Sequence, residues 1–174
     1  YGSMLIQASE TDITFEFWSV ANGATLVDTY TINSTPTETL PISTGSTWKY
    51  LDNGTNQGTA WADIAFDDSS WASGPAELGY GDGDEDTVVD CSSVANCNTT
   101  YFRKTFSVPD KSIYSGLNLR MLRDDGAVVY LNGTEIWRTN MPTGSVIYTT
   151  LASAAIGGTD ETTFVLPPAV LSNT

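Results

Sequence analysis

Four aspartates, Asp82, Asp84, Asp86 and Asp90, crowd one short glycine-containing stretch of the chain. The first three alternate, so their hard carboxylate oxygens can converge on a calcium ion, which takes six to eight oxygen ligands. An EF-hand loop is excluded, because Thr87 stands where it needs glycine and Ser93 where it needs a bidentate glutamate. Asp160 and Glu161 offer a further supply of carboxylates. The same residues also read as a plain solvated acidic loop. A second kind of chemistry comes from aromatic rings, which stack on sugars while nearby polar groups take the hydroxyls. Trp61, Trp71, Tyr80 and Trp137 are the candidate platforms, with Tyr148 beside them and Arg138 and Asn140 as polar neighbours. Trp48, Phe102, Phe106 and Tyr130 read as core from their strand positions. Rings in a sandwich fill the core more often than they build platforms, and both readings stay open. Finally, Cys91 and Cys97 bracket a small polar loop. A disulfide closing that loop suits an exported domain. The rival reading, a zinc site, meets the difficulty that zinc takes four N/S ligands, whereas the chain has two cysteines and no histidine.

Other chemistries are closed off. Without histidine there is no Ser–His or Cys–His nucleophile pair. The adjacent carboxylates Asp67–Asp68 and Asp124–Asp125 sit at turn boundaries, where aspartate commonly bonds backbone amides rather than a substrate. The run 79–83 (GYGDG) has the glycines of a phosphate-cradling loop, but the acids that follow repel phosphate and the required Lys and Ser/Thr are missing. A formal charge of −14 in 174 residues argues against nucleic acid and anionic membrane surfaces as partners. No apolar run approaches the ~18 residues of a membrane span. No signal peptide is visible, and a start at Tyr1 without Met is expected of an internal piece of a longer precursor.

The elements that must carry these residues read as short strands. Leu117, Leu119 and Met121 alternate with Asn118 and Arg120, the period of a half-buried strand. Residues 127–131 are a run of apolar, β-branched and aromatic side chains, expected to be buried on both faces. Asn132–Gly133 then supplies the positive-φ pair of a type I′ hairpin, and 134–138 returns antiparallel. Upstream, 4–8, 13–20 and 25–32 read as three strands, with Asn22–Gly23 turning between the second and third. Further strands are expected at 48–51, 100–108, 145–149 and 162–166, with 59–66 either a strand or a helical turn. Residues 33–46, with Pro36 and Pro41 among Thr, Ser and Gly, have linker composition. The chain therefore divides into a short antiparallel β element at 1–32, a linker at 33–46 and a second unit at 47–174. About 30 residues bury too little surface to stand alone, so 1–32 is expected to be the tail of an upstream domain or a sheet docked on the second part.

Trp48, the box 66–71 (FDDSSW), the strand 101–106 (YFRKTF) and the segment 124–133 (DDGAVVYLNG) together resemble the galactose-binding-domain-like jelly rolls. These include the sugar-binding-like sandwich of family 2 glycoside hydrolases and accessory modules of secreted bacterial proteins. The resemblance covers roughly 47–166 and implies a jelly-roll β-sandwich. Residues 1–32 more faintly resemble the last strands of a calcineurin-like metallophosphoesterase, whose metal-binding histidines this chain lacks. Such jelly rolls usually continue past a Pro–Pro segment like Pro167–Pro168, so a sandwich short of its last strands is expected, with an open edge that invites another chain. The resulting expectation is an all-β, non-catalytic, extracellular module that binds carbohydrate or neighbouring protein domains, with calcium as its cofactor. The alternatives are a structural subunit that self-assembles into a fibre by strand complementation, and the non-catalytic C-terminal part of a metallophosphoesterase-type hydrolase.

Overall fold

The structure, a computed structural model, describes residues 2–8, 12–19, 25–33, 41–81, 83–89, 98–108, 110–114, 116–156 and 161–166. The chain is all-β and falls into two compact units, Tyr1–Leu40 and Pro41–Thr174. The boundary lies inside the proline-, threonine- and serine-rich stretch 33–46.

The first unit is an antiparallel sheet of β1 (Gly2–Ala8), β2 (Asp12–Ser19) and β3 (Thr25–Asn33), in that order. Register follows from alternation. Ile6 faces Phe15, which faces Tyr30, and Ile13 faces Ile32. Opposed residues share a face, so these side chains and Met4 make one apolar surface. Thr14 and Thr31, paired on the other face, bring their hydroxyls to 3.1 Å. A bulge between Phe17 and Trp18 shifts the register at the end of β2.

The second unit begins with β4 (Thr47–Leu51), held between β5 (Ala72–Pro75) and β8 (Tyr101–Arg103). Of the strand or helical turn expected over 59–66, the structure has the helical turn, a 3-10 turn at Ala60–Ala62. β6 (Leu78–Gly79) pairs in parallel with β7 (Thr87–Val88). β9 (Leu117–Leu122) pairs antiparallel with β12 (Glu161–Leu166), and β10 (Ala127–Leu131) with β11 (Thr134–Thr139). The hairpin turn is built as the sequence requires, with φ of 50° at Asn132 and 81° at Gly133.

Three expectations change in detail. The strand expected over 100–108 is confined to Tyr101–Arg103, the three residues paired with Leu51, Tyr50 and Lys49 of β4. Residues 145–149 form no strand. The Thr150 amide bonds the Ile147 carbonyl at 2.8 Å and its hydroxyl takes the Ile147 amide at 3.0 Å, closing a turn instead. Residues 127–131 are half-buried throughout rather than fully buried.

Aromatic rings form the core of this unit. Trp71 and Tyr101 are each 5% exposed and their rings lie 6.0 Å apart. Trp61 meets Tyr101 at 5.0 Å and Tyr130 at 5.4 Å, both edge to face, and Phe66 meets Trp71 at 5.6 Å. Such contacts add about 0.5–1.5 kcal/mol each beyond area burial. Backbone fit matters equally at Gly74, which is buried on β5. A Cβ there would lie 2.2 Å from Thr87 Oγ1 and 2.9 Å from Thr87 Cβ, and rotating the threonine moves only the former. Thr87 is itself anchored by its hydroxyl on the Pro75 carbonyl at 2.7 Å. Gly74→Ala is therefore expected to destabilise the protein by about 1–3 kcal/mol, measured by denaturant unfolding. An unchanged midpoint would show that β5 and β7 do not approach this closely.

Candidate functional site

The residues singled out for sugar stacking do not converge. Trp71 lies in the aromatic core, where burial removes both faces from solvent. Trp61 is half-buried with neighbouring rings against it. Tyr80 is 59% exposed on the loop after β6. Trp137 and Arg138 follow one another on β11 and so face opposite ways. Arg138 is committed to local structure. Its Nε and Nη2 donate to the two Glu135 carboxylate oxygens at 2.6 and 2.7 Å, and its Nη1 donates to the carbonyls of Pro142 and Gly144. Those bonds hold the Glu135 carboxyl below its ordinary pKa and push Arg138 up. Tyr130 is raised, first by burial and then by the Glu135 charge.

Asp67 and Asp125, one from each aspartate pair, work on the backbone. Asp67 caps the Ser69 amide at 3.0 Å, and the Ser69 hydroxyl and amide together lower its pKa. Asp125 accepts the Ile156 amide at 2.8 Å, while Asn140 Nδ2 donates to the carbonyls of Asp125 and Ala154. This Asn140 clip, formed at a φ of 49°, fastens the loops around 125, 140 and 154. In the acidic loop Asp84 and Asp86 are exposed, and Glu85 accepts the Gly83 amide at 3.0 Å. Asp82, Asp90, Cys91 and Cys97 lie outside the described residues, and with them half of the expected calcium ligands and the expected disulfide. Among the described residues no group of three or more His, Cys, Asp or Glu side chains is arranged to hold a metal.

A different group of residues does converge. Thr47, Trp48, Lys49, Asp68, Ser73, Arg103, Lys104 and Thr105 line an open groove of about 290 Å³. This volume is at the small end of ligand sites, which run from ~300 to ~1,000 Å³. It is made by strand pairing across a long stretch of sequence. Lys49 sits opposite Arg103, and Ser73 opposite Lys49, on the three strands β8–β4–β5.

Arg103 fixes the floor. Its Nε donates to Asp68 Oδ2 at 2.8 Å, and its Nη1 donates to the carbonyls of Trp61 and Asp63. Its guanidinium carbon stands 5.2 Å from the centre of the Phe66 ring. Lys49 Nζ donates to the Trp71 carbonyl at 3.2 Å and Lys104 Nζ to the Thr47 carbonyl at 2.9 Å. Both lysines thus bond to neutral acceptors, and the one carboxylate of the lining is engaged by Arg103. Thr47, Lys49 and Ser73 share one face of the sheet, so the groove offers their hydroxyls and the Lys49 ammonium, while Trp48 alternates to the opposite face.

Sequence reasoning missed this site for a definite reason. Lys49, Ser73 and Arg103 stand far apart in sequence as isolated strand residues, and only cross-strand register brings them together. The available signal was scarcity. Only seven Lys and Arg occur in the chain, and Lys49 and Arg103 each adjoin a strand aromatic, with Lys104 next to Arg103.

No protein-family model, curated protein or solved structure matches this chain.

Arg103 allows a direct test of the floor. A lysine offers one ammonium in place of a planar fork and cannot serve a carboxylate and two carbonyls together. Arg103→Lys should cost about 2–3 kcal/mol in unfolding free energy, the range for breaking a mostly buried charged network. A loss below about 0.5 kcal/mol, the size of an exposed pair, would contradict the geometry described.

Proposed function

We propose that this chain is a non-catalytic, extracellular β-sandwich module of the galactose-binding-like jelly-roll type, and that it binds carbohydrate in the groove lined by Thr47, Lys49, Ser73 and Arg103. The observation that carries this reading is the groove itself, where the hydroxyls of Thr47 and Ser73 stand on the same sheet face as the Lys49 ammonium. Such fixed polar groups are what a sugar's hydroxyls pair with. The composition supports it too, since a chain without histidine lacks the commonest general base. The groove is open, so binding is weak. A hexose of about 12 heavy atoms at roughly 0.3 kcal/mol per atom gives about 4 kcal/mol, or a Kd near 1 mM. Titration with a panel of hexoses and short oligosaccharides, followed by tryptophan fluorescence, should show saturable binding in that range. Lys49→Gln should abolish the signal while leaving the melting curve in place. A response that survives Lys49→Gln would move the site elsewhere.

A second reading has its own observation. Met4, Ile6, Tyr30 and Ile32 of the first unit are between 47% and 63% exposed and lie on one sheet face, with β1 and β3 as open edges among the described strands. Three strands with an apolar face need a second layer to be stable, and a second copy of the same sheet presents a matching one. On this reading the chain is a structural unit that assembles with itself. Analytical ultracentrifugation should then show reversible association from micromolar chain upward, lost in Ile6→Lys. A monomer throughout would end this reading.

A further inference from the structure

We infer that Asn53 is a site of spontaneous covalent modification, deamidating through a cyclic succinimide to aspartate and isoaspartate, while the same triplet elsewhere in the fold is protected. Asn–Gly–Thr occurs twice among the described residues, at 53–55 and at 132–134. In an unfolded chain two identical triplets react alike, so a difference between them belongs to the fold. Glycine in second place favours the reaction, because it sets no Cβ beside the attacking nitrogen.

At 53–55 the reacting groups are in place. Asn53 is exposed and lies just past the end of β4, in a stretch with no strand pairing. The Gly54 amide, which is the nucleophile, has no hydrogen-bond partner among the described residues. Asn53 Oδ1 accepts the Thr55 amide at 3.1 Å and the Thr55 hydroxyl at 2.6 Å. Those bonds fold the side-chain carbonyl forward over the Gly54 peptide, the direction in which the ring closes. They also set two donors on the oxygen that turns negative when the Gly54 nitrogen adds to Cγ, and such bonds strengthen as charge develops. Water is the only co-reactant. Hydroxide takes the Gly54 amide proton, the N–Cγ bond forms, and Nδ2 leaves as ammonia with a proton from water. Water then opens either carbonyl of the succinimide, giving aspartate or isoaspartate with one new carboxylate. The isoaspartyl form lengthens the backbone by one carbon, shortly before the Gln57 amide bonds the core Tyr101 hydroxyl at 3.4 Å.

At 132–134 the same residues make a tight hairpin turn. φ is 50° at Asn132 and 81° at Gly133, and Leu131 pairs with Thr134 across the ladder. Ring closure brings the asparagine Cβ and the next nitrogen to the same side of the Cα–C bond. That rotation would turn the Gly133 peptide out of the hairpin and break the flanking pair, so the reaction waits for the hairpin to open.

Peptide mapping by mass spectrometry tests this on the full chain, incubated folded in mildly alkaline buffer and in parallel in urea. Isoaspartate is counted by enzymatic methylation with an isoaspartyl methyltransferase. Proteolysis separates both triplets from Asn22–Gly23, which lies outside the described residues. In the folded chain Asn53 is expected to convert at least about tenfold faster than Asn132, which must await local opening. In urea the two rates should converge. Thr55→Val should slow Asn53 roughly twofold to tenfold, the worth of one net hydrogen bond, and leave Asn132 unchanged. Equal rates in the folded chain, or faster conversion at Asn132, overturn the inference. So does an Asn53 that stays intact in the folded chain while reacting in urea. Faster conversion in Thr55→Val would show that the Thr55 bonds restrain the side chain, and overturns the geometry argued for ring closure. Because the two triplets are compared within the wild-type chain, that comparison stands even if Thr55→Val fails to fold.

Discussion

Arg103 is where the second unit is tied together. Its side chain is 11% exposed, and it lies under a ring, beside a carboxylate and against two backbone carbonyls. A guanidinium in that position must be satisfied on several sides at once, because an unpaired buried charge costs several kcal/mol. The chain meets the demand with residues from the turn 61–63, from the aspartate pair and from Phe66. Once the guanidinium is in place, the turn, the FDDSSW box and β8 cannot move independently. The aromatic core of Trp61, Trp71 and Tyr101 is assembled around the same point.

That arrangement also determines what the groove can present. Asp68 and Arg103 cancel one another, so the floor is structurally costly to alter and electrically quiet. Lys49 and Lys104 are anchored to carbonyls, which hold the ammonium groups without neutralising them. The result is a small region of positive charge on a strongly acidic protein. Arg138, by contrast, pairs with the Glu135 carboxylate, while Arg123, like the two lysines, donates to neutral oxygens, the Asp125 carbonyl and the Thr139 hydroxyl.

The first unit obeys a simpler constraint. Strict alternation puts Ile6, Phe15 and Tyr30 on one side of a three-stranded sheet, and a sheet of that size has no second layer of its own. Its apolar face is a consequence of the pattern, and the same pattern makes it a surface that favours contact.

Local pattern alone determined that this chain is all-β. Alternation in 4–8, 13–19 and 117–122, β-branched runs at 127–131 and the Asn132–Gly133 turn each act within a few residues, where backbone sterics and side-chain period decide the outcome. The same locality explains the roles of Asp67 and Asp125, whose short side chains bond nearby amides. Tertiary pairing decided the rest. Trp71 and Trp48 are both strand-flanking tryptophans by sequence, yet one fills the core and the other is only half-buried, because exposure depends on what packs from far along the chain. Lys49 and Arg103 lie 54 positions apart in sequence and become neighbours only through the β4–β8 ladder. A charge cluster formed that way has no signature in spacing, since cross-strand distance is set by register and register by the whole sheet.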